Sequence, residues 1–350
     1  MHDTVAPERV PSQEADPAGR RRRARVPTAL VLVWVAFVLA NLVLSGRWSM
    51  WLVFSLVPPL AFLVGSSAAL ALAFFCPNRR VMVVVALASV ALTVPQSGLR
   101  PGALAASPQA GGTRVVSWNT EYWDQTDDPA AFFRYLRGTH ADVYLLQEYI
   151  NYVDGRIRPI DDLARIRAQF PGYQVVVKGQ LVTLSRLPVI ARPPAGDRDV
   201  LRVDVRTPRG TALSTYNVHI PAQLDPTQSP LSPGFYRTLA DRADQRRHCY
   251  DALAASASTD KDAGVIGGDF NTSPAMGDIG RARALGEDAA AQGHSVYPVS
   301  WNEHGPLRLW RLDWGFVRNG ATVRDYRLLE PRGMSDHSAQ LIDLAFEGPR

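Results

Sequence analysis

The chain divides by hydropathy before any motif is considered. No charged residue occurs between Arg25 and Arg47 (21 residues), between Arg47 and Arg79 (31 residues) or between Arg80 and Arg100 (19 residues). A helix rises about 1.5 Å per residue, so roughly 20 apolar residues span a ~30 Å hydrocarbon core. The first and third stretches predict one crossing each. The middle stretch is too short for two crossings and a turn, and predicts one helix that kinks or begins at Pro58 and Pro59. Gly65, Ser66 and Ser67 are small enough for close helix contacts. From residue 113 onward the pattern changes to short apolar runs separated by polar and Gly/Pro-rich segments, as in an α/β domain. Residues 100–112 read as a linker and residues 1–26 as a basic tail, its first 19 disordered.

Charge follows the same division. The chain carries a net +5, but ten of its 38 Lys and Arg residues and four of its 33 Asp and Glu residues lie in the first 112 positions. That part is therefore +6, whereas residues 113–350 are −1, and the basic balance is poor evidence for a nucleic-acid partner. Arg20–Arg23 and Arg25 precede the first apolar stretch, and Arg79 and Arg80 separate the second from the third. Cytoplasmic loops favour such residues, so the pattern predicts three transmembrane helices in the cell membrane with the C-terminal domain extracytoplasmic. The two cysteines, Cys76 and Cys249, sit in different environments and lack metal-ligand spacing, which makes both buried spectators.

The soluble part carries six polar blocks. Thr113–Asn119 reads TRVVSWN and Asp142–Glu148 reads DVYLLQE, two strands delivering an amide and a carboxylate at their C-terminal ends. Short strands follow at Val175–Val177 and around the LSRLP turn, and Ala212–Ile220 (ALSTYNVHI) ends near His219. A polar, helix-like stretch then holds Arg242, Gln245 and Arg246. In VIGGDFN (Val265–Asn271) two glycines precede Asp269 and Asn271, allowing tight backbone packing where those side chains converge. LDWGFV (Leu312–Val317) places Asp313 at a strand start, and MSDH (Met334–His337) precedes the strand Gln340–Phe346.

In this order the blocks WN, LQE, NVH, GDFN, LDWGFV and SDH resemble the endonuclease/exonuclease/phosphatase superfamily over essentially all of 113–350. The resemblance implies a four-layer α-β-β-α sandwich with its active site at one end. It also implies a divalent cation, Mg²⁺ or Mn²⁺, at Glu148, with Asn119 and Asp336 as close neighbours or further ligands. Mg²⁺ suits one or two carboxylates plus water. Asp269 is implied to orient or deprotonate the attacking water, and Asn271 and His219 to donate to phosphoryl oxygens. Asp313 would hold His337 in one tautomer and raise its basicity. Either Asp269 or the His337 pair then serves as the base.

The substrate is less legible. Lys178 and Lys261 are the domain's two lysines, and no basic strip interleaves with aromatics, which disfavours a nucleic-acid partner. Arg308 and Arg311 beside Trp301 and Trp310 read as a surface loop. A short linker to a membrane anchor raises the local concentration of any substrate in that membrane. The whole architecture resembles three-helix membrane proteins associated with teicoplanin-type glycopeptide resistance in actinomycetes. That resemblance implies a phosphatase of a polyprenyl pyrophosphate or related cell-wall lipid, with membrane lipid as partner. A sphingomyelinase-like phospholipid phosphodiesterase, an extracytoplasmic nuclease and a non-catalytic membrane binding protein are the alternatives.

Overall fold

A computed structural model describes residues 17–105, 109, 111–123, 128–154, 156–224, 228–302 and 308–346, with side chains from residue 25. Three helices come first: α1 (Pro17–Leu44), α2 (Pro59–Ala73) and α3 (Arg79–Thr93), with a 3-10 segment at Ser49–Leu56. They pack through small residues. Val31, Ala69, Ala73, Cys76 and Ala86 form their common core. Ser66 Oγ lies 2.8 Å from Ser89 Oγ and accepts from Trp34 Nε1 at 3.0 Å, and a Cβ on Gly65 would overlap the Trp34 ring.

The helices differ from the expected three crossings. Among the described residues, Arg25–Leu44 is the one helix long and apolar enough to span a bilayer. Ser49–Leu56 and Pro59–Ala73 reach that length only together, across an 82° bend. Helix α3 has 15 residues, about 22 Å of rise. Pro59 begins α2, and residues 48–57 leave the helix path to lie on the following domain. Helix α1 starts ten residues ahead of the expected boundary at residue 27, because Ala and Arg propagate helix well. Most of the tail expected to be disordered, 1–16, lies outside the described residues.

The remaining elements follow in order: β1 (Thr113–Asn119), α4 (Pro129–Gly138), β2 (Val143–Gln147), β3 (Ile150–Val153), β4 (Arg156–Pro159), α5 (Leu163–Gln169), β5 (Gln174–Lys178), β6 (Leu181–Ser185), β7 (Val189–Ala191), β8 (Val200–Arg206) and β9 (Ala212–His219). After them come α6 (Pro233–Thr259), β10 (Ala263–Asp269), α7 (Ile279–Arg283), β11 (Glu287–Asp288), β12 (Asp313–Arg318), β13 (Ala321–Leu329) and β14 (Ala339–Phe346). Helix starts are chemically marked. The Asp128 side chain accepts from Ala131 N–H ahead of Pro129, and that of Ser232 from Phe235 N–H ahead of Pro233.

Two six-stranded mixed sheets result, β13-β14-β1-β2-β6-β5 and β11-β12-β10-β9-β8-β7, with β3-β4 as a separate hairpin. Strand alternation sorts the side chains into layers. Val115, Val143, Leu145, Val203, Leu213, Val265, Val317, Ile342 and Leu344 meet between the sheets. The opposite parity of the first sheet, Val116, Trp118, Tyr144 and Leu146, packs on Phe132, Phe133 and Leu136 of α4 and Ile166 of α5. In the second sheet, Tyr216, Val218, Ile266, Trp314 and Phe316 pack on Cys249, Tyr250 and Leu253 of α6 and on α7. The order of layers is α-β-β-α. Both cysteines are free and buried.

The bundle and the sandwich are locked end to end. Asn41 Nδ2 donates to Gln96 Oε1 (2.8 Å) and to Ala275 O (3.0 Å), while its Oδ1 accepts from Trp51 Nε1 (2.8 Å). Gly277 N–H donates to Ser45 Oγ, and Leu52 packs with Phe235, Leu239 and Met276. The stretch read as a linker is also partly docked. Residues 101–105 form a 3-10 turn with Ala103 buried, and Arg100 pairs with Asp288. An Arg that finds a carboxylate in the folded domain cannot be told from a solvated one by composition.

Candidate active site

The site stands where parity and register coincide. Asn119, His219 and Asp269 close β1, β9 and β10, on the parity that faces the other sheet. In the second sheet Asp269 has His219 and Asp313 as its two lateral neighbours. Gly267 lets the sheets approach, since a Cβ there would sit 3.1 Å from Leu145 and Ser117 side-chain atoms. At Gly268 a Cβ would overlap the Val218 carbonyl. Gly268 is thus required by a neighbouring backbone and Gly267 by side chains of the facing sheet.

Asp269 is the hub. Its Oδ1 accepts from Asn271 N–H (2.7 Å), and its Oδ2 from Asn119 Nδ2 (3.0 Å) and Asn271 Nδ2 (3.1 Å). His219 Nε2 stands 3.6 Å and His337 Nε2 3.7 Å from the same oxygen. His337 Nδ1 is hydrogen-bonded to Asp313 Oδ2 at 2.8 Å, and its Nε2 lies 3.7 Å from Asp336 Oδ1. Glu148 joins through Asn119 Nδ2, which donates to its Oε1 at 3.1 Å, while Tyr122 N–H donates to its Oε2. All eight residues singled out from the sequence therefore fall in one connected cluster. Glu148 (φ +60°) and Asn271 (φ +44°) adopt left-handed backbone, a strained conformation that concentrates at functional sites.

Their positions refine the expected division of labour. Both Nδ2 hydrogens of Asn271 have acceptors within the protein, Asp269 and the Ile220 carbonyl, so this amide braces Asp269 instead of reaching toward a ligand. Asn119 bridges two carboxylates through its nitrogen, and its oxygen accepts from Glu121 N–H. His219 Nδ1 is buried without a partner among the described residues.

The two candidate bases are shifted together by their mutual charges. Burial opposes charge on His337, but the Asp313 and Asp269 carboxylates outweigh it and hold the imidazolium well above the usual histidine range. Burial raises the carboxyl of Asp269, and the charge of Asp313 adds to this, against the pull of His337 and His219. A protonated His337 ring is a hydrogen-bond donor toward the Asp269 carboxylate, 3.7 Å away.

The donor set fits a divalent cation. Asp269, Asp313 and His337 present ligand atoms within 4.8 Å of one another. Asp313 and His337 already satisfy each other, however, which leaves the Glu148 side as the better seat. Glu148 and Asp336 meet histidine within ion-pair distance but no Arg or Lys among the described residues. The local field is negative: after burial, the charge of Glu148 is the largest influence raising the Tyr122 phenol. Hard oxygen donors that no Arg or Lys neutralises suit Mg²⁺ or Mn²⁺.

Several positioning residues escaped the sequence reading. Trp301 Nε1 donates to Asp336 Oδ2 (2.8 Å). Ser300 Oγ accepts from Leu312 and Asp313 N–H, and Ser335 Oγ donates to the Asn119 carbonyl. Arg246, fully buried in α6, ties the Pro221 and Asn271 carbonyls and Thr272 Oγ1 together. Its signal was an Arg in the apolar stripe Leu239, Arg246, Tyr250, Leu253. Arg311, read as a surface-loop residue, is buried on Asp288, while Arg308 is exposed and pairs with Glu330.

Residues 116–337 match the Endonuclease/Exonuclease/phosphatase family. The chain belongs to that family. It contains a hydrolase domain of the endonuclease/exonuclease/phosphatase type, whose members act on phosphoesters and are generally dependent on divalent metal ions. The structure is similar to an endonuclease/exonuclease/phosphatase from Beutenbergia cavernae DSM 12333 (17% identity, TM-score 0.48, covering 67% of this chain and 72% of that one). It is also similar to the mannosyl-6-phosphatase Bt3783 of Bacteroides thetaiotaomicron VPI-5482 (14%, 0.48, 67% and 100%) and to an AP endonuclease from Archaeoglobus fulgidus (15%, 0.47, 67% and 100%). No curated sequence matches the chain significantly.

Proposed function

We propose that this endonuclease/exonuclease/phosphatase protein is a membrane-anchored, extracytoplasmic, Mg²⁺-dependent phosphatase acting on a polyprenyl pyrophosphate or a related lipid-linked phosphate. The observation that carries the reading is the join between bundle and site. The loop leaving Asn271 runs through Ala275 and Gly277, which bond to Asn41 and Ser45 at the end of α1. Catalytic residues and apolar bundle are therefore a few residues apart. Leu30, Val33, Val64, Phe75, Val81 and Val84 of the bundle are each more than half exposed, a surface that calls for lipid cover. Arg25 lines a hollow with Pro77 and Asn78 at the bundle end away from the domain, and Arg79 and Arg80 follow there, the arrangement favoured on the cytoplasmic side.

In the reaction, Asp269 takes a proton from water as the water oxygen attacks phosphorus, and the bond from phosphorus to the leaving oxygen breaks. The His337 imidazolium, held by Asp313, and His219 donate to oxygens on which charge accumulates. A divalent cation held by Glu148, with Asp336 and Asn119 nearby, supplies further neutralisation of the phosphoryl charge when bound.

The test is Mg²⁺-dependent phosphate release by the detergent-solubilised full chain, with undecaprenyl pyrophosphate, a phospholipid and DNA offered in parallel. Release from the prenyl pyrophosphate, abolished in an Asp269→Ala, His337→Ala double variant, is the expected result. Cleavage of phospholipid or DNA instead would overturn the substrate but keep the mechanism.

A further inference from the structure

A cavity of about 210 Å³ lies between the chain leaving α3 and the outer face of the second sheet. Arg100, Arg283, Arg311, Trp314, Pro274 and Gly98 contribute to its wall. None of the eight site residues does. Trp314 follows Asp313, but strand alternation sends the two side chains to opposite faces of β12.

Its charge is unbalanced. Arg311 places Nη1 and Nη2 at 2.8 and 2.7 Å from the two oxygens of Asp288, and Arg100 pairs with the same carboxylate. Arg283 has no carboxylate of its own among the described residues and stacks over the Trp314 ring, 5.3 Å from its centroid. Arg311 covers that ring at 3.8 Å. Three guanidiniums thus share one carboxylate, a local excess of two positive charges. Arg283, unlike Arg311, is open to solvent, so its guanidinium is the one free to receive an anion. A compact oxyanion in the cavity would accept from it and neutralise the surplus charge.

We propose that this cavity binds a phosphate group through Arg283, Arg311 and Arg100, presented by the headgroup of an anionic phospholipid. Residues 95–103 follow α3 directly, so on the membrane reading above the cavity opens at headgroup level. That reading bears on the source of the phosphate and not on the charge arrangement. Phosphate bound here would tie the end of α3 to the sheet that carries Asp313, Asp269 and His219.

The experiment uses the delipidated full chain without divalent metal, in a Glu148→Gln, His219→Gln background that weakens phosphate retention at the active site. Inorganic phosphate is titrated by calorimetry, and capture is compared on nanodiscs of phosphatidylcholine alone or doped with phosphatidylglycerol. Arg283→Gln is expected to weaken phosphate binding about tenfold, as for loss of one charge-assisted hydrogen bond. Arg283→Lys should recover part of it. Otherwise wild-type protein carrying only Arg283→Gln should keep its thermal midpoint and its hydrolysis of a soluble phosphoester. Phosphate binding with preference for the phosphatidylglycerol discs, both reduced by Arg283→Gln, establishes the site and its lipid source. Binding of free phosphate without disc preference keeps the site and assigns it to soluble phosphate. Absence of binding, or binding indifferent to Arg283, overturns the proposal whatever the substrate assay reports.

Discussion

Replacing Asp288 by asparagine tests whether the buried arginine pair holds the bundle-facing side of the domain together. Burial opposes ionisation of Asp288, but Arg311 and then Arg100 outweigh it and depress its pKa from 3.8 to about 2. At about 1.36 kcal/mol per pKa unit, this favours folding by roughly 2 kcal/mol. Because the folded value lies below the unfolded one, that stability is present above pH ~4 and is lost as the pH falls through about 2. Substitution at neutral pH costs more than protonation implies, since a neutral amide at this position would leave Arg311 buried with its charge uncompensated. Breaking one partner of such a pair costs about 3–5 kcal/mol. For a domain of about 240 residues, at roughly 2–4 °C per kcal/mol, the thermal midpoint should drop by about 6–20 °C. The assay is thermal unfolding in detergent at pH 7 and across the acid range, for wild type, Asp288→Asn and Asp288→Asn with Arg311→Met. The double variant should recover most of the loss, because an uncharged pair leaves no buried charge. An unchanged midpoint in the single variant, or a double variant no better than the single, would refute the reasoning.

Three further outcomes follow from the same geometry. Asp313→Asn removes the carboxylate that keeps His337 protonated, so kcat should fall about 10- to 100-fold with little change in KM; the alkaline limb of the pH–rate profile should move to lower pH, as the imidazolium is lost earlier when pH rises. Glu148→Gln should raise the Mg²⁺ concentration for half-maximal activity at least about tenfold while leaving the circular dichroism spectrum intact, and an unchanged Mg²⁺ titration would remove Glu148 from the cation site. Gly268→Ala should prevent accumulation of folded protein, because its Cβ would overlap the Val218 carbonyl of the neighbouring strand, and normal expression with full activity would show that the backbone yields there.

The candidate site was legible in the sequence because its residues occur in short blocks tied to strand ends. A strand that stops on a polar side chain delivers it to one edge of a sheet, and parity decides which face it occupies. Asn119, His219 and Asp269 follow this rule, and Asp313 reaches the same edge by opening the antiparallel strand β12, so local pattern and tertiary position agree. Asn271 shows the limit of the rule. Its place beside Asp269 was readable, but its amide bonds the Ile220 carbonyl, 51 residues away, and no local pattern reports that partner. Trp301 on Asp336 and Arg246 on the loops after β9 and β10 likewise depend on segments meeting in space.

The N-terminal helices illustrate the same division from the other side. Hydropathy alone located three apolar segments and the basic residues that flank them, since transfer of side chains from water is an additive, local property. The 15-residue length of α3, the 82° bend before α2, the packing of Leu52 on Phe235 and Leu239, and the burial of Ala103 emerge only in the folded chain. Arg311 makes the point most sharply: its sequence neighbourhood resembles a polar loop, while the folded chain buries it between Trp314 and Asp288. Periodicity and residue chemistry are carried by neighbours along the chain. The partners that satisfy a buried charge are chosen by packing across it, and only the tertiary structure supplies them.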